Sequence, residues 1–217
     1  MRHALITDVH GDLEGLTTAL RMIGEHDVDR VISLGDVLDC LISSRSRGRR
    51  LRSLDQVTVW SPAMEGLLED VLLIRGNQEE RIAGHLPGDA VPAEVARLLA
   101  APDSHRTDFA TYCHGHLLSW TNPLPDLWCP LHEDFPGVAL VYGHHHRNAL
   151  FEVPRGRRTW SATREVEITS GVPIPLDRER RYLVNVGPAR GPSPSWALID
   201  ETASTVTYHC TQSRYKD

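Results

Sequence analysis

The amino-acid sequence predicts an α/β fold, since short apolar runs repeatedly end in polar, glycine-containing turns. The runs cover residues 3–7, 30–35, 71–76, 109–113 and 138–143. Each run has the length and the β-branched or aromatic content of a buried strand. The last third carries strand-like runs with no helical pattern between them. This change of character predicts a second, more antiparallel sheet.

A single helix joins the first two predicted strands. Apolar side chains between residues 13 and 23 recur at helical spacing, with Asp12 suited to cap the start and Gly24 suited to end the helix. A strand, a helix and a strand in succession predict parallel pairing with a right-handed crossover. Residues 91–101 predict another helix.

The C-terminal strands are predicted over residues 149–154, 164–169, 181–187, 195–200 and 205–210. No internal repeat and no linker-like segment separates them from the preceding residues. A chain of 217 residues is long enough for one domain with a substantial core. We therefore expect a single domain over residues 1–217.

Composition excludes several classes of protein. A net charge of −6 argues against a general nucleic-acid binder, so no stable nucleic-acid complex is expected. The four cysteines are far apart and form no CxxC pair, which is typical of reduced thiols in a cytoplasmic protein. The sequence contains no run of about 18 apolar residues, so no membrane span is predicted. The charged residues near the start of the sequence are unlike a signal peptide.

Polar side chains follow all five N-terminal strands, where ligands bind in α/β folds. They comprise Asp8, His10, Asp36, Asp39, Asn77, His114, His116, His144, His145 and His146. In an extended segment, residues two apart point the same way, which pairs Asp8 with His10 and His144 with His146. Carboxylates, imidazoles and an amide suit divalent metals of intermediate hardness. The number of these candidate ligands is larger than one tetrahedral site needs. It suits two metals that are bridged by a carboxylate.

Each turn also has a simpler explanation when it is taken alone. Asp8 can cap the following helix, Asp36 and Asp39 can be turn residues, and Asn77 follows a glycine as turn residues often do. The three consecutive histidines can form a phosphate-contacting cluster or a solvated turn.

The order of these turns is more specific than any one of them. The segments DVH, GDVLD, GNQE, CHGH and GHHH resemble the five motifs of calcineurin-like metallophosphoesterases over roughly residues 4–146. The tail VNVGPARGPSPSWALID resembles the ending of the small prokaryotic phosphodiesterase branch. This resemblance implies a four-layer α/β/β/α sandwich with mixed central sheets.

The resemblance also implies a ligand set for two divalent metal ions. The first metal would be held by Asp8, His10 and His146, the second by Asn77, His114 and His144, with Asp36 bridging them. Asp39 would orient a ligand, and His145 would face phosphate or solvent. Such ligands bind manganese, iron, zinc or nickel, and manganese is the ion expected to be added in vitro.

The implied reaction is hydrolysis of a phosphate ester by a hydroxide that the two metals activate. A small substrate such as a nucleotide is expected, cleaved as a phosphodiester, with a phosphomonoesterase as the alternative. A non-catalytic metal-binding scaffold and a nucleic-acid binding module are alternatives of other classes. Relatives are often dimers, so the resemblance implies a homodimer.

Gln78 departs from the family pattern, because many relatives carry a histidine that protonates the leaving oxygen at this position. A neutral amide cannot act as a general acid of suitable pKa. Either the substrate has a good leaving group, or His116 or His145 supplies the proton.

A second departure is an arginine-rich segment after the second motif. It contains Arg45, Arg47, Arg49, Arg50 and Arg52. The segment is interpreted either as a solvated surface loop or as a lid that gathers substrate phosphates, because guanidinium groups match phosphate oxygens.

Overall fold

Two six-stranded mixed sheets form the centre of the computed structural model, which describes residues 1–43, 53–87, 91–124, 127–130, 135–153 and 163–210. The first sheet contains β1 (Arg2–Ile6), β2 (Arg30–Ser33), β3 (Leu72–Leu73), β11 (Ile174–Pro175), β13 (Trp196–Asp200) and β14 (Thr205–His209). Its order is β11-β14-β13-β1-β2-β3. The strands β1, β2 and β3 are parallel, and β13 runs antiparallel to β1.

The second sheet is also mixed. It contains β4 (Ser104–Arg106), β5 (Ala110–Cys113), β8 (Ala139–Tyr142), β9 (Ala149–Val153), β10 (Arg164–Val166) and β12 (Arg181–Asn185). Its order is β10-β9-β12-β8-β5-β4, in which β5, β8 and β12 are parallel. A separate hairpin is formed by β6 (Trp120–Leu124) and β7 (Leu127–Pro130).

The predicted mixed α/β architecture is confirmed, but the expected separate sheet of C-terminal strands is wrong. The strands β11, β13 and β14 extend the first sheet, whereas β9, β10 and β12 extend the second. The five predicted N-terminal strands are also divided between the sheets, with β1, β2 and β3 in the first sheet and β5 and β8 in the second. Strand patterns report which residues are buried but carry no information about which distant strand is the partner, so sequence alone could not assign the sheets.

Five helices occur in the part of the chain that the structure describes: α1 (Leu13–Ile23), α2 (Leu54–Val57), α3 (Pro62–Leu68), α4 (Asn77–His85) and α5 (Ala93–Leu99). The predicted α1 is confirmed, with the Asp12 side chain accepting from the Gly15 N–H and Gly24 at its C-cap. The predicted second helix corresponds to α5, whereas α2, α3 and α4 were not predicted. No helix among these residues is long and apolar enough to cross a membrane.

One hydrophobic core lies between the two sheets. Leu5, Ile32 and Ile199 of the first sheet pack in the same cluster as Tyr112 and Val141 of the second. The helices cover the other face of the first sheet in a second cluster. On the outer face of the second sheet, Leu118, Trp120 and Phe135 pack in a third cluster with Tyr142 and Phe151.

Candidate functional site

The turns after β1, β2, β5 and β8 are joined by backbone hydrogen bonds. The Asp8 N–H donates to the Gly35 carbonyl at 3.0 Å, and the Gly143 N–H donates to the His114 carbonyl at 3.0 Å. A third bond links the sheets, since the His144 N–H donates to Oδ2 of Asp8 at 3.0 Å. The predicted meeting of the strand-end residues is therefore present, although the strands belong to two sheets.

Gly143 allows the two sheets to approach so closely. A Cβ atom at this position would lie 2.1 Å from the Thr7 hydroxyl and 2.7 Å from Oδ2 of Asp8. Any side chain would push the turn after β8 away from Asp8. The glycine that precedes the three histidines thus brings His144 to the first sheet.

Left-handed backbone is concentrated at these turns. Six described non-glycine residues have positive φ, and five of them are predicted site residues: Asp8, His10, Asp36, His144 and His146, with φ between 51° and 73°. The assumption that these pairs sit in extended segments is therefore wrong. Each such residue costs roughly 1–2 kcal/mol, and this conformation is kept where surrounding contacts impose it, often at functional sites.

Three of the predicted ligands form a first cluster. Nε2 of His10 lies 3.1 Å from Nε2 of His146, which lies 3.2 Å from Oδ1 of Asp8. Oδ1 of Asp8 is 3.8 Å from Nε2 of His10. Two nitrogens bound to one metal at about 2.1 Å in tetrahedral or octahedral geometry would be roughly 3.0–3.4 Å apart. The spacing of this first cluster therefore suits one metal ion.

The carboxylate of Asp8 has one satisfied oxygen and one open oxygen. Oδ2 accepts from the Thr7 hydroxyl and the His144 N–H, whereas the buried Oδ1 has no backbone or hydroxyl donor among the described residues and lies 3.2 Å from Nε2 of His146. Burial alone would raise the pKa of Asp8, but the imidazoles of His146 and His114 outweigh it and lower the pKa. A buried anionic oxygen that faces ring nitrogens is a position that a proton or a metal cation would stabilise.

Four predicted ligands form a second cluster around Nε2 of His114. This nitrogen lies 3.0 Å from Oδ1 of Asn77, 3.3 Å from Oδ2 of Asp36 and 3.3 Å from Nδ1 of His144. The distances again match donors that share one ion. The residues that could hold a second metal are therefore within reach of one another.

The other nitrogen of His114 shows why a cation fits. Nδ1 lies 3.1 Å from the Leu34 carbonyl and must donate to it, so Nε2 of the neutral ring has a lone pair facing the oxygens of Asp36 and Asn77. That arrangement is repulsive without a proton or a metal. Burial alone would lower the pKa of His114, but the contact with Asp36 outweighs it and raises the pKa.

Asp36 lies between the two clusters. Its Oδ2 is 3.3 Å from Nε2 of His114 and 3.9 Å from Nε2 of His10. Its Oδ1 accepts from the Gln78 N–H at 2.8 Å. The side chain is 2% exposed and fixed in place. One carboxylate therefore reaches the donors of both clusters.

Glu79 is an important residue that the sequence analysis did not single out. It is buried, and its carboxylate accepts from the backbone N–H groups of Asp36, Leu38 and Gly76, each at 2.9 Å. Burial, followed by the charge of Asp36, raises the pKa of Glu79 to about 7. The signal was present in the sequence, because Glu79 is the last residue of the GNQE motif. It holds the turn that carries Asp36.

The remaining predicted residues lie around these clusters. Oδ1 of Asp39 is 3.4 Å from Nδ1 of His10, which suits its expected orienting role. Nε2 of His116 is 3.2 Å from Oε2 of Glu80. The His145 ring packs against Trp120, with ring centroids 3.9 Å apart. The arginines of the segment 45–52 lie outside the described residues.

Gln78 points toward the loop after β2. Its Oε1 accepts from the Cys40 N–H at 3.1 Å and from the Arg81 guanidinium at 2.8 Å. The acceptor of this amide is therefore occupied by the protein itself, which leaves its NH₂ group as the part able to contact phosphate.

Comparisons with known proteins identify the family and the fold of this chain. The family model of the calcineurin-like phosphoesterase superfamily domain matches residues 1–204. A metallophosphoesterase from Sphaerobacter thermophilus is 20% identical, with 99% of this chain and 90% of that chain covered and a TM-score of 0.66. Yfce, a phosphoesterase from E. coli, is 18% identical, with coverage of 96% and 98% and a TM-score of 0.45.

A novel archaeal phosphodiesterase is 12% identical, with coverage of 97% and 100% and a TM-score of 0.49. No curated protein sequence matches the chain. The family match spans nearly the whole sequence, and the structural similarity to the Sphaerobacter protein supports the same fold. The chain belongs to the calcineurin-like phosphoesterase superfamily and is a metallophosphoesterase.

Proposed function

We propose that this enzyme hydrolyses diesters of small, nucleotide-like phosphates at a site for two divalent cations. The observation that carries this proposal is the position of Asp36, whose Oδ2 faces both donor clusters. Asp8, His10 and His146 would hold one ion, and Asn77, His114 and His144 the other. When bound, the cations supply Lewis-acid polarisation of a phosphoryl oxygen and lower the pKa of water.

The protein orients its own donors for this task. Asp39 faces Nδ1 of His10, and the Leu34 carbonyl faces Nδ1 of His114. Each contact places the ring proton on Nδ1 and directs the Nε2 lone pair into the site. Manganese, iron, zinc and nickel all accept these donors, and we propose manganese for the first assays.

The surroundings of the leaving group favour esters whose leaving oxygen needs no protonation, such as diesters of phenols and pyrophosphate-type bonds. The Gln78 amide cannot donate a proton as an acid near neutral pH. Burial, followed by the charge of His114, lowers the pKa of His116, so near neutral pH this ring is mainly neutral and few molecules carry the proton that a general acid must donate. Because neither residue protonates the leaving oxygen efficiently, esters with stable leaving groups are the better substrates.

The proposal predicts faster hydrolysis of bis(p-nitrophenyl) phosphate than of p-nitrophenyl phosphate when Mn²⁺ is added. We expect kcat/KM for the diester to be higher by about tenfold or more, which corresponds to roughly 1.4 kcal/mol in transition-state stabilisation. Rates with Mn²⁺ and with a chelator, measured on the same preparation, provide the check. A preference for the monoester would overturn the diester assignment, and the absence of Mn²⁺-dependent turnover of either ester would favour a non-catalytic scaffold.

We further propose that residues 1–217 form one domain that acts in the cytoplasm. Cys40, Cys113 and Cys210 form no disulfide, as expected in a reducing compartment. Burial raises the pKa of the Cys113 thiol to about 12, so this thiol beside His114 is unreactive and is expected to serve packing.

A further inference from the structure

The loop that joins β12 to β13 brings a guanidinium group to the first cluster. We call residues 186–195 the tail loop. Its Ala189 N–H donates to the Thr7 carbonyl at 2.8 Å, and its Gly191 N–H donates to Oδ2 of Asp12 at 2.6 Å. Arg190 lies between these two bonds, so its backbone is fixed against the turn after β1.

The start of α1 is shaped to receive the tail loop. A Cβ atom on Gly15 would lie 2.7 Å from Cα of Arg190. Asp12 uses both carboxylate oxygens for backbone groups, Oδ1 for the Gly15 N–H and Oδ2 for the Gly191 N–H. Both bonds lower the pKa of Asp12. Because both oxygens accept from backbone N–H groups, Asp12 holds the loop, and its interaction with the Arg190 side chain is limited to the attraction of opposite charges.

The guanidinium of Arg190 points toward a predicted metal ligand. Its Nη2 lies 3.3 Å from Nδ1 of His146, while the residue is exposed to solvent. Among residues 1–43, 53–87, 91–124, 127–130, 135–153 and 163–210, no carboxylate forms an ion pair with Arg190. The charge of Asp12 attracts Arg190, but the guanidinium forms no ion pair with a described carboxylate and is therefore suited to bind an anion.

The contact between Arg190 and His146 is not compatible with a metal at the first cluster. Nε2 of His146 faces Nε2 of His10 and Oδ1 of Asp8. A neutral imidazole that binds a metal through Nε2 keeps its hydrogen on Nδ1. Two N–H donors would then face each other, and the guanidinium would lose its acceptor. Loading of the first cluster therefore releases Arg190 for another acceptor.

We propose that Arg190 binds a phosphate oxygen of the substrate beside the first cluster. This inference rests on the proposed function, because it assigns the substrate's phosphate to the same site. The planar guanidinium can bind two phosphate oxygens. It contacts Nδ1 of His146, so only the width of that imidazole ring separates it from Nε2, the nitrogen that would bind the metal. The bound oxygen belongs either to the phosphoryl group under attack or to a neighbouring phosphate.

The test compares Arg190→Gln with Arg147→Gln. Arg147 is the matched control, since it follows His146 in sequence but its guanidinium is already paired with Glu165 at 3.1 Å. Titration calorimetry of the Mn²⁺-loaded proteins would measure binding of inorganic phosphate and of pyrophosphate, together with the affinity for Mn²⁺. We expect Arg190→Gln to bind phosphate or pyrophosphate about tenfold to a hundredfold more weakly. The control should match the wild type, and Mn²⁺ affinity should be unchanged in both variants.

Weaker binding of both phosphate and pyrophosphate would assign Arg190 to the phosphoryl group at the metals. Weaker binding of pyrophosphate alone would assign it to a neighbouring phosphate. Either result supports the proposal. Unchanged anion affinity, no anion binding by the loaded wild type, or a parallel loss of Mn²⁺ affinity would overturn it. If the wild type hydrolyses no ester yet needs Arg190 for anion binding, the proposed function fails while this inference stands.

Discussion

The Asp36→Asn variant is expected to lose at least about a thousandfold in kcat for Mn²⁺-dependent diester hydrolysis while remaining folded. The amide keeps an oxygen that can accept from the Gln78 N–H, so the local backbone keeps its partner. What is removed is the negative charge that faces both His10 and His114. Steady-state kinetics and bound Mn²⁺ per chain, measured on the same sample, check this expectation.

Asp39→Asn is the matched control for this variant. Asp39 lies three residues further along the same loop, is about half exposed and contacts only Nδ1 of His10 in the first cluster. A residue that orients a ligand is expected to contribute about tenfold to a hundredfold. If Asp36→Asn retained more activity than Asp39→Asn, the shared role of Asp36 would be wrong.

The Glu79→Ala variant should lower the free energy of unfolding by about 3 kcal/mol or more. Three buried N–H groups, those of Asp36, Leu38 and Gly76, lose their acceptor, and each unsatisfied donor costs roughly 1–3 kcal/mol. Burial and the charge of Asp36 raise the pKa of Glu79 to about 7. The folded state therefore binds more protons than the unfolded chain between about pH 4.5 and 7, and this group contributes less to stability as the pH rises through that window.

Urea unfolding of wild type, Glu79→Ala and Glu80→Ala at about pH 6 measures this effect. Glu80 is the neighbouring residue of α4, its side chain is 56% exposed, and its loss should change stability by less than about 0.5 kcal/mol. Equal unfolding free energies for the two variants would show that the Asp36 turn does not depend on the buried carboxylate.

Much of the local structure was predictable because local patterns determine it. The helix α1 follows from its apolar spacing, with Asp12 and Gly24 at its ends. The short α2, α3 and α4 lack such a clear pattern. The division of the C-terminal strands depends on pairing across more than a hundred residues, as between Leu5 and Ala197, which local patterns cannot report.

The site was predictable to the extent that its residues occur in ordered motifs. The structure brings all seven predicted ligands together, from turns of both sheets. The left-handed backbone of five of them was not predictable, because Asp and His adopt it only where contacts impose it. The contacts of Glu79 and Arg190 were not predictable either. Glu79 belongs to the GNQE motif, but its partner Asp36 is distant in sequence, as His146 is from Arg190.

Anomalous X-ray diffraction from crystals grown with Mn²⁺ tests the central claim most directly. Two anomalous peaks are predicted, one among Asp8, His10 and His146 and the other among Asn77, His114 and His144, with Asp36 contacting both. Metals bridged by a carboxylate are expected roughly 3.5–4 Å apart. A single peak, or peaks away from these residues, would contradict a two-metal site and the hydrolytic mechanism that depends on it.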